Sequence, residues 1–403
     1  MWLPRQIAEE LRNVANTFPA VVLIGPRQVG KTSLVQQLFA GHAYVGLDMA
    51  SHAEAAETRP DEFIGRFAPP VVLDEIQYAP SFFRYIKTVV DSRKGQNGLF
   101  VLTGSQNFLL MEAVAESLAG RAAVIPLLGL SGAEWAAAFN VASGDPRWRD
   151  FLWQGGYPGL WAEPDSAPSR DRWYQGYMAT YLERDVRNLL HVGSLRDFER
   201  FLRACAARCS QSLNLSELGR DVGISTTTAK QWLSVLQASN QIFLLEPYHR
   251  SLGKRLVKTP KLYFTDTGLA AFLMGFASAR DLWASTGAGP IWENHVVNQW
   301  LRHRDWFEPG LGLWYWRDQG GNEVDLLLER NQTLTAVECK LTEKPRSADL
   351  KGIHRLIKFY GRPMIAHAYL ACPIAMGFDI DAGVTAVPGW TTWTLAGPSA
   401  TTP

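Results

Sequence analysis

The sequence contains no apolar run near the roughly 18–20 residues that a membrane-spanning helix needs. The N-terminus also lacks the apolar core of a signal peptide. Its four cysteines show neither zinc nor disulfide spacing, and Cys205 and Cys209 lie four apart in a helical pattern, as packing residues in a reducing compartment would. The formal net charge is only +1, so a nucleic-acid surface would have to be a local basic patch. We therefore expect a cytoplasmic protein.

The composition that remains is that of an ordinary folded protein, with 47% hydrophobic and 20% charged residues. The pattern changes twice along the chain and predicts three domains. Residues 1–150 alternate short apolar runs with helical patterns, which is typical of a doubly wound parallel α/β sheet. Residues 151–284 are mostly helical, and residues 285–395 mix helices and strands. The small polar residues 396–403 are expected to form a flexible tail.

Residues 25–32 read Gly-Pro-Arg-Gln-Val-Gly-Lys-Thr and satisfy the P-loop pattern. The glycines allow successive backbone N–H groups to face phosphates, Lys31 reaches the β- and γ-phosphates, and the Thr32 hydroxyl binds Mg²⁺. An apolar run precedes the loop and a helical stretch follows it. We predict an ATP and Mg²⁺ site here; a glycine-rich turn without a ligand is the alternative. The predicted nucleotide-binding residues are Gly25, Pro26, Arg27, Gln28, Val29, Gly30, Lys31, Thr32 and Ser33.

Two acids, Asp74 and Glu75, follow the apolar run Val71–Leu73. Adjacent side chains leave a strand in different directions, so the two acids can serve two roles. We expect Asp74 to hold Mg²⁺, usually through water, and Glu75 to polarise the attacking water. The alternative is that these acids merely end a strand.

Residues 212–265 predict a winged helix-turn-helix, in which Gly223 permits the turn and Ser225 caps the second helix. The runs Ile242–Leu245 and Lys261–Phe264 would be the strands of the wing. The wing carries cations that can contact DNA phosphates, namely Arg250, Lys254, Arg255, Lys258 and Lys261. A second helix with one cation, Lys230, does not favour base-specific reading, and a role as interdomain scaffold is the alternative.

A second group of acids lies near the C-terminus. Glu338 and Lys340 are two residues apart and so share one face of a predicted strand, Asp325 lies on the preceding strand, and Glu293 lies on the helix before it. Three carboxylates suit a divalent ion, so Glu293, Asp325 and Glu338 are predicted metal ligands. Lys340 would orient the attacking water or offset charge on phosphorus, which makes Glu338 and Lys340 predicted catalytic residues. The alternative is the same fold with solvated or inactive acids.

The whole set of motifs resembles bacterial and archaeal ATPases in which an AAA-type P-loop domain precedes a domain of unknown function. That domain combines a winged helix with a restriction-endonuclease-like core of the PD-(D/E)xK superfamily. The resemblance spans about residues 1–395, implies a nucleic-acid-processing or partner-binding C-terminus, and points to Tyr181, Glu183, Arg184 and Asp185 as an important helix. Further matching stretches are Leu73–Gln77, Leu102–Gln106, Ser117–Arg121, Gly155–Pro158, Thr265–Gly268, Trp292–Asn294 and Glu323–Asp325.

The AAA resemblance implies two more hydrolysis residues. A polar residue after the strand Leu99–Leu102 senses the γ-phosphate, so Ser105 or Thr103 takes that role, with simple turn chemistry as the alternative. Arg121 is a candidate finger arginine, a group that is worth roughly 10³–10⁵ in rate. Supplied by a neighbouring subunit, Arg121 would require a homo-oligomer; a surface or ion-paired arginine is the alternative.

Two functions fit these observations. The first is an ATP-dependent enzyme that couples hydrolysis to DNA binding or DNA cleavage. The second is a regulatory switch ATPase whose C-terminal modules bind a protein partner and have no nuclease activity. A metabolite kinase is disfavoured because the additional domains carry a predicted winged helix and no obvious small-molecule pocket.

Overall fold

The structure is a computed structural model that divides into two compact units. The first unit contains residues 1–129, 157–162 and 235–241, and the second contains the rest. Among the described residues no helix could cross a bilayer. The three predicted domains, with boundaries at 150 and 284, remain a prediction. The structure describes residues 2–105, 114, 116–142, 144–161, 169–182 (181–182 as backbone only), 195–249 and 259–390.

Several predicted features lie outside the described residues: the wing cations Arg250, Lys254, Arg255 and Lys258, the charged residues Glu183, Arg184 and Asp185, and the tail at 396–403. The four cysteines are buried and free, as expected of packing residues.

The first unit contains a five-stranded parallel sheet in the order β2-β3-β4-β1-β5. Its central strands are wholly buried, which explains why they form continuous apolar runs in the sequence. This sheet confirms the predicted parallel α/β fold. The strands are β1 (Ala20–Ile24), β2 (Ala43–Gly46), β3 (Val71–Asp74), β4 (Phe100–Gly104) and β5 (Ala122–Pro126). The helices are α1 (Ala8–Thr17), α2 (Lys31–Leu38), α3 (Ala50–Thr58), α4 (Pro60–Arg66) and α5 (Phe82–Ser92), with a 3₁₀ turn at Ile76–Tyr78.

The register of the sheet brings three polar segments to one edge. Strand β4 lies between β1 and β3, with Leu23 opposite Thr103 and Leu73 opposite Leu102. The residues that follow these strands therefore lie side by side at the carboxyl edge, where open α/β sheets bind ligands.

The second unit begins with helices whose packing rests on a buried aspartate. Asp266 accepts hydrogen bonds from Gly156 N (2.7 Å), Leu269 N (2.8 Å) and the Tyr174 hydroxyl (2.8 Å). A Cβ at Gly268 would lie 2.4 Å from the Gln154 oxygen, so only glycine fits there. The helices are α6 (Gly132–Phe139), α7 (Trp148–Gln154), α8 (Arg170–Tyr177), α9 (Leu195–Ala206), α10 (Leu215–Val222), α11 (Thr226–Ala238), α12 (Thr267–Leu273), α13 (Ala279–Trp283) and α14 (Ala288–Phe307), with a π-helical segment at Met178–Leu182. The 3₁₀ turn at Pro158–Leu160 and the last four residues of α11 belong to the first unit.

Helices α10 and α11 are joined at Gly223, whose φ of +85° favours glycine. The Ser225 hydroxyl accepts the N–H of Thr228 at 3.0 Å, as expected of the cap of α11. A three-stranded antiparallel sheet accompanies these helices in the order β6-β8-β7. Its strands are β6 (Gln211–Ser212), β7 (Ile242–Leu245) and β8 (Lys261–Phe264), the last two with the predicted bounds.

The C-terminal part of the second unit is a six-stranded mixed sheet in the order β13-β14-β12-β11-β10-β9. The pairs β9–β10 and β10–β11 are antiparallel, whereas β12 is parallel to β11. The buried side chains of Leu350, Ile353 and Leu356 pack in the core of this sheet. The strands are β9 (Gly312–Arg317), β10 (Glu323–Arg330), β11 (Thr333–Cys339), β12 (Ile365–Cys372), β13 (Phe378–Asp381) and β14 (Val384–Pro388), accompanied by 3₁₀ turns at Ser347–Leu350 and Arg362–Met364 and by helix α15 (Lys351–Tyr360).

Candidate functional site

The P-loop connects β1 to α2 through a tight backbone turn. Gly25 has a φ of +146°, and a Cβ there would lie 2.0 Å from the Leu127 carbonyl oxygen, so this position requires glycine. Helix α2 begins at Lys31, directly after Gly30. The buried Lys31 ammonium donates to the carbonyls of Gly25 (2.9 Å) and Pro26 (2.8 Å). Phosphate oxygens can replace these two neutral acceptors, so the geometry suits an anion-binding loop.

Arg5 supports the loop from the N-terminal segment. Its buried guanidinium donates to the carbonyls of Val29 (2.8 Å) and Leu128 (2.7 Å). Sequence analysis missed Arg5 because no motif marks it and its partners lie 24 and 123 residues away.

Asp74 lies directly beside the P-loop threonine. The Thr32 hydroxyl donates to Asp74 Oδ2 at 2.8 Å, so the two predicted Mg²⁺ residues lie together. The Tyr44 hydroxyl donates to the same oxygen at 2.7 Å, and the Thr103 hydroxyl donates to Oδ1. Burial, followed by the hydrogen bond to Asp74, raises the pKa of Tyr44, so its hydroxyl remains protonated. A hydroxyl and a carboxylate are oxygen ligands of the kind that Mg²⁺ uses, so these residues fit the ion.

Glu75 has an unusual backbone conformation, with a φ of +59°. Non-glycine residues rarely adopt it, and such residues cluster at functional sites. The Glu75 N–H donates to the Thr103 hydroxyl at 3.1 Å, which links the two strand ends. Its carboxylate accepts hydrogen bonds from Ser105 Oγ at 3.2 Å and from the Gln77 amide. The structure thus brings Ser105 to the predicted water-polarising acid, and Gln77 joins it.

Arg121 forms a bidentate ion pair with Asp91. Its Nε lies 2.6 Å from Asp91 Oδ1, and its Nη2 lies 3.2 Å from Oδ2. The hydrogen bond from Arg121 lowers the pKa of Asp91. This arrangement corresponds to the ion-paired alternative, and the finger role remains a prediction.

Lys261 does not lie in an exposed basic stripe. Only 2% of the residue is exposed, and its Nζ lies 2.8 Å from Glu293 Oε1 and 3.2 Å from Asp325 Oδ1. Glu323 is a third ion-pair partner. The prediction that Lys261 contacts DNA phosphates is therefore wrong, because its ammonium is buried among carboxylates.

Strand β11 ends at Cys339, so it contains Glu338 but not Lys340, which was predicted to share its face; Lys340 Nζ nonetheless lies 2.9 Å from Glu338 Oε1. Asp325 Oδ2 accepts the Cys339 N–H at 2.9 Å, which fixes Asp325 against the same strand. Burial is the main cause that raises the pKa of Glu338 well above its usual value, and the charge of Asp325 is the second. The same two causes raise the pKa of Glu293 to about 7. Within the described ranges no group of three or more His, Cys, Asp or Glu is arranged to hold a metal ion. Two of the three predicted metal ligands, Glu293 and Asp325, thus lie beside the Lys261 ammonium, whereas Glu338 pairs with Lys340.

Comparison with known proteins divides the chain into three matched regions. Residues 17–136 match the AAA domain, residues 145–280 match a domain of unknown function (DUF8612), and residues 288–391 match a second domain of unknown function (DUF4143). The Walker-type ATPase paby2304 of Pyrococcus abyssi is 17% identical, with 68% of this chain and 96% of that chain covered and a TM-score of 0.45.

Two mycobacterial relatives cover most of the chain. They are uncharacterized protein Rv2008c of Mycobacterium tuberculosis and uncharacterized protein Mb2031c of Mycobacterium bovis. Each is 30% identical over 343 residues, which are 85% of this chain and 74% of the relative. The chain therefore belongs to the family of these two proteins, and it carries an ATPase domain of the AAA type.

Proposed function

We propose that the chain hydrolyses ATP with Mg²⁺ at the carboxyl edge of the parallel sheet. The observation that carries this proposal is the 2.8 Å hydrogen bond between the Thr32 hydroxyl and Asp74, directly beside Glu75. A P-loop threonine and a strand-end aspartate are the two groups that hold the ion in P-loop ATPases.

The residues of the site divide the work of hydrolysis between them. Lys31 exchanges its two carbonyl acceptors for phosphate oxygens, and Thr32 and Asp74 hold the ion. Bound Mg²⁺ neutralises charge on the β- and γ-phosphates. Glu75 accepts a proton from the attacking water, and Ser105 and Gln77 orient its carboxylate. A finger role for Arg121, in its own subunit or in a neighbouring copy of a homo-oligomer, requires that the ion pair with Asp91 opens.

We infer that residues 195–249 and 259–264 belong to a winged helix that binds DNA. The described elements follow one another as α9, β6, α10, α11, β7 and β8, with the three strands in one sheet, as in that fold. The exposed face of α11 carries Thr226, Thr227, Lys230 and Gln231, and the helix contains no acid. Hydroxyl, amide and ammonium groups are the side chains that contact phosphates and base edges.

We further propose that the mixed sheet with α14 is a restriction-endonuclease-like core that does not cleave DNA. Lys261 favours this over the cleaving enzyme, because it binds Glu293 and Asp325, two of the three predicted metal ligands. ATP turnover is then coupled to DNA binding alone. A switch that binds a protein partner instead is the competing outcome of the test below.

Lys31→Ala and Glu75→Gln separate nucleotide binding from hydrolysis. Lys31→Ala removes phosphate contacts, so we expect weak binding of a fluorescent ATP analogue and no turnover. Glu75→Gln keeps those contacts but loses the general base, so we expect near-normal binding and a kcat that is lower by roughly 10²–10⁴-fold. Glu54→Gln, at an exposed position of α3, should behave as the wild type. Wild-type turnover by Lys31→Ala would refute the proposed site.

Thr103→Val tests the Thr103 hydroxyl, which donates to Asp74 and accepts the N–H of Glu75. The substitution keeps the shape of the side chain but leaves Asp74 Oδ1 and the Glu75 N–H without this partner. A hydrogen bond to a charged group contributes about 1.5–3 kcal/mol, so kcat should fall roughly 10- to 100-fold. Thr88→Val, at an exposed position of α5, is the matched control. Equal steady-state rates for both variants would exclude a role for Thr103.

ATP turnover with and without single- and double-stranded DNA tests the coupling. We expect DNA to bind and to change the turnover rate, while the DNA stays intact in Mg²⁺ or Mn²⁺. Replacing both Lys230 and Gln231 with alanine should weaken DNA binding. The slope of log affinity against log salt concentration should fall by about 1, as expected for the loss of one phosphate contact. The control Lys94→Ala, at an exposed position of the first unit, should leave DNA binding unchanged. Turnover that ignores DNA would favour the protein-binding switch, and strand breaks that Glu338→Ala abolishes would establish a nuclease.

A further inference from the structure

We infer that Lys261 supplies the cation of the C-terminal carboxylate cluster, so that the restriction-endonuclease-like core holds a built-in ammonium where a nuclease would hold a divalent metal ion. The inference rests on the proposed restriction-endonuclease-like core, concerns this cluster alone, and is independent of whether the first unit hydrolyses ATP. The cluster is defined as Lys261 with Glu293, Glu323 and Asp325.

The number of partners matches what an ammonium can bind. A lysine ammonium has three N–H donors, and Lys261 has three carboxylate partners, one from α14 and two from β10. Its side chain is 3% exposed, and its Nζ also lies 5.6 Å from the centre of the Tyr315 ring. A buried ammonium without partners would be strongly destabilising, so these contacts are what keep the charge there.

Three of the oxygens that Glu293 and Asp325 could offer to a metal ion already have partners. Glu293 Oε1 accepts from both Lys261 and the Tyr263 hydroxyl at 2.6 Å. Asp325 Oδ1 faces Lys261, and its Oδ2 accepts the Cys339 N–H. Magnesium requires ligands at about 2.0–2.1 Å in near-octahedral order, and a divalent charge beside a buried ammonium is repelled. The ion and the Lys261 ammonium therefore exclude each other.

Glu338 is left outside the cluster. Its Oε1 pairs with Lys340, while its Oε2 is buried and has no hydrogen-bond partner among the described residues. A Cβ at Gly352, the second residue of α15, would lie 3.3 Å from that oxygen, so the helix closes over it. One such oxygen cannot enclose a metal ion.

The position of Lys261 gives the cluster a structural consequence. Lys261 is the first residue of β8, in the three-stranded sheet, whereas its partners lie on α14 and in the six-stranded sheet. One ammonium thus joins three elements that are distant in sequence. A divalent ion bound by Glu293, Asp325 and Glu338 alone would not include β8.

Mn²⁺ binding to the nucleotide-free full chain tests the inference, measured by calorimetry and by the shift in Tm. In the wild type we expect no Mn²⁺ site that depends on Asp325, so Asp325→Asn should leave its Mn²⁺ binding unchanged. Lys261→Met leaves three carboxylates uncompensated, so its Tm should fall by roughly 10 °C without metal. Mn²⁺ should then bind the Lys261→Met chain and raise its Tm by several degrees. The double variant Lys261→Met/Asp325→Asn should not show this rise in Tm. Lys344→Met, at an exposed lysine, should match the wild type.

A wild-type Mn²⁺ site that Asp325→Asn abolishes would overturn the inference, and this arm needs no folded Lys261 variant. A folded Lys261→Met chain that gains no Mn²⁺ site would also overturn it, because Lys261 would then not be what excludes the ion. Neither readout depends on ATP turnover, so failure here and failure of the proposed ATPase are distinguishable.

Discussion

The hydrogen bonds that join β1 to β4 and β4 to β3 set the geometry of the nucleotide site. They place Thr103 opposite Leu23 and beside Asp74, so the P-loop and the two acids begin at the same level of the sheet. A shift of one residue in a strand would turn its side chains to the other face and separate Thr32 from Asp74. The contacts between the strand ends, such as Thr32 to Asp74 and Ser105 to Glu75, depend on this register.

Two buried lysines show how the partners of a charge decide its function. The Lys31 ammonium rests on two neutral carbonyl oxygens, which phosphate oxygens can replace with a gain in Coulomb energy. The Lys261 ammonium rests on three carboxylates, and a ligand that took it away would leave those charges buried and uncompensated. Lys31 is therefore available to a ligand, and Lys261 is held by the fold.

Sequence patterns predicted the local features well and the distant contacts poorly. The P-loop and the buried strands are contiguous, so their residues could be recognised from spacing alone. Lys261 was misplaced because no acid lies near it in the sequence, and its partners are 32–64 residues away. The signal that could have corrected this prediction is that Lys261 is the first residue of a wholly buried strand. A buried cation needs a carboxylate partner. Tyr44 and Thr103 are similar, because their shared partner Asp74 lies 30 and 29 residues away in the sequence.

Motif residues in the two units also differ in what their contacts do. Gly155, Asp266 and Gly268 belong to motifs of the resemblance, yet their contacts are hydrogen bonds and close packing inside the second unit. The Asp266 carboxylate accepts hydrogen bonds from two backbone N–H groups and from the Tyr174 hydroxyl, and these contacts explain its position without a ligand. Glu75 differs, because its backbone is in a rare conformation and its carboxylate is held by two exchangeable side chains at the edge of the sheet. A motif thus indicates chemistry where its polar groups are placed to contact a ligand. It indicates stability where hydrogen bonds within the protein already occupy those groups.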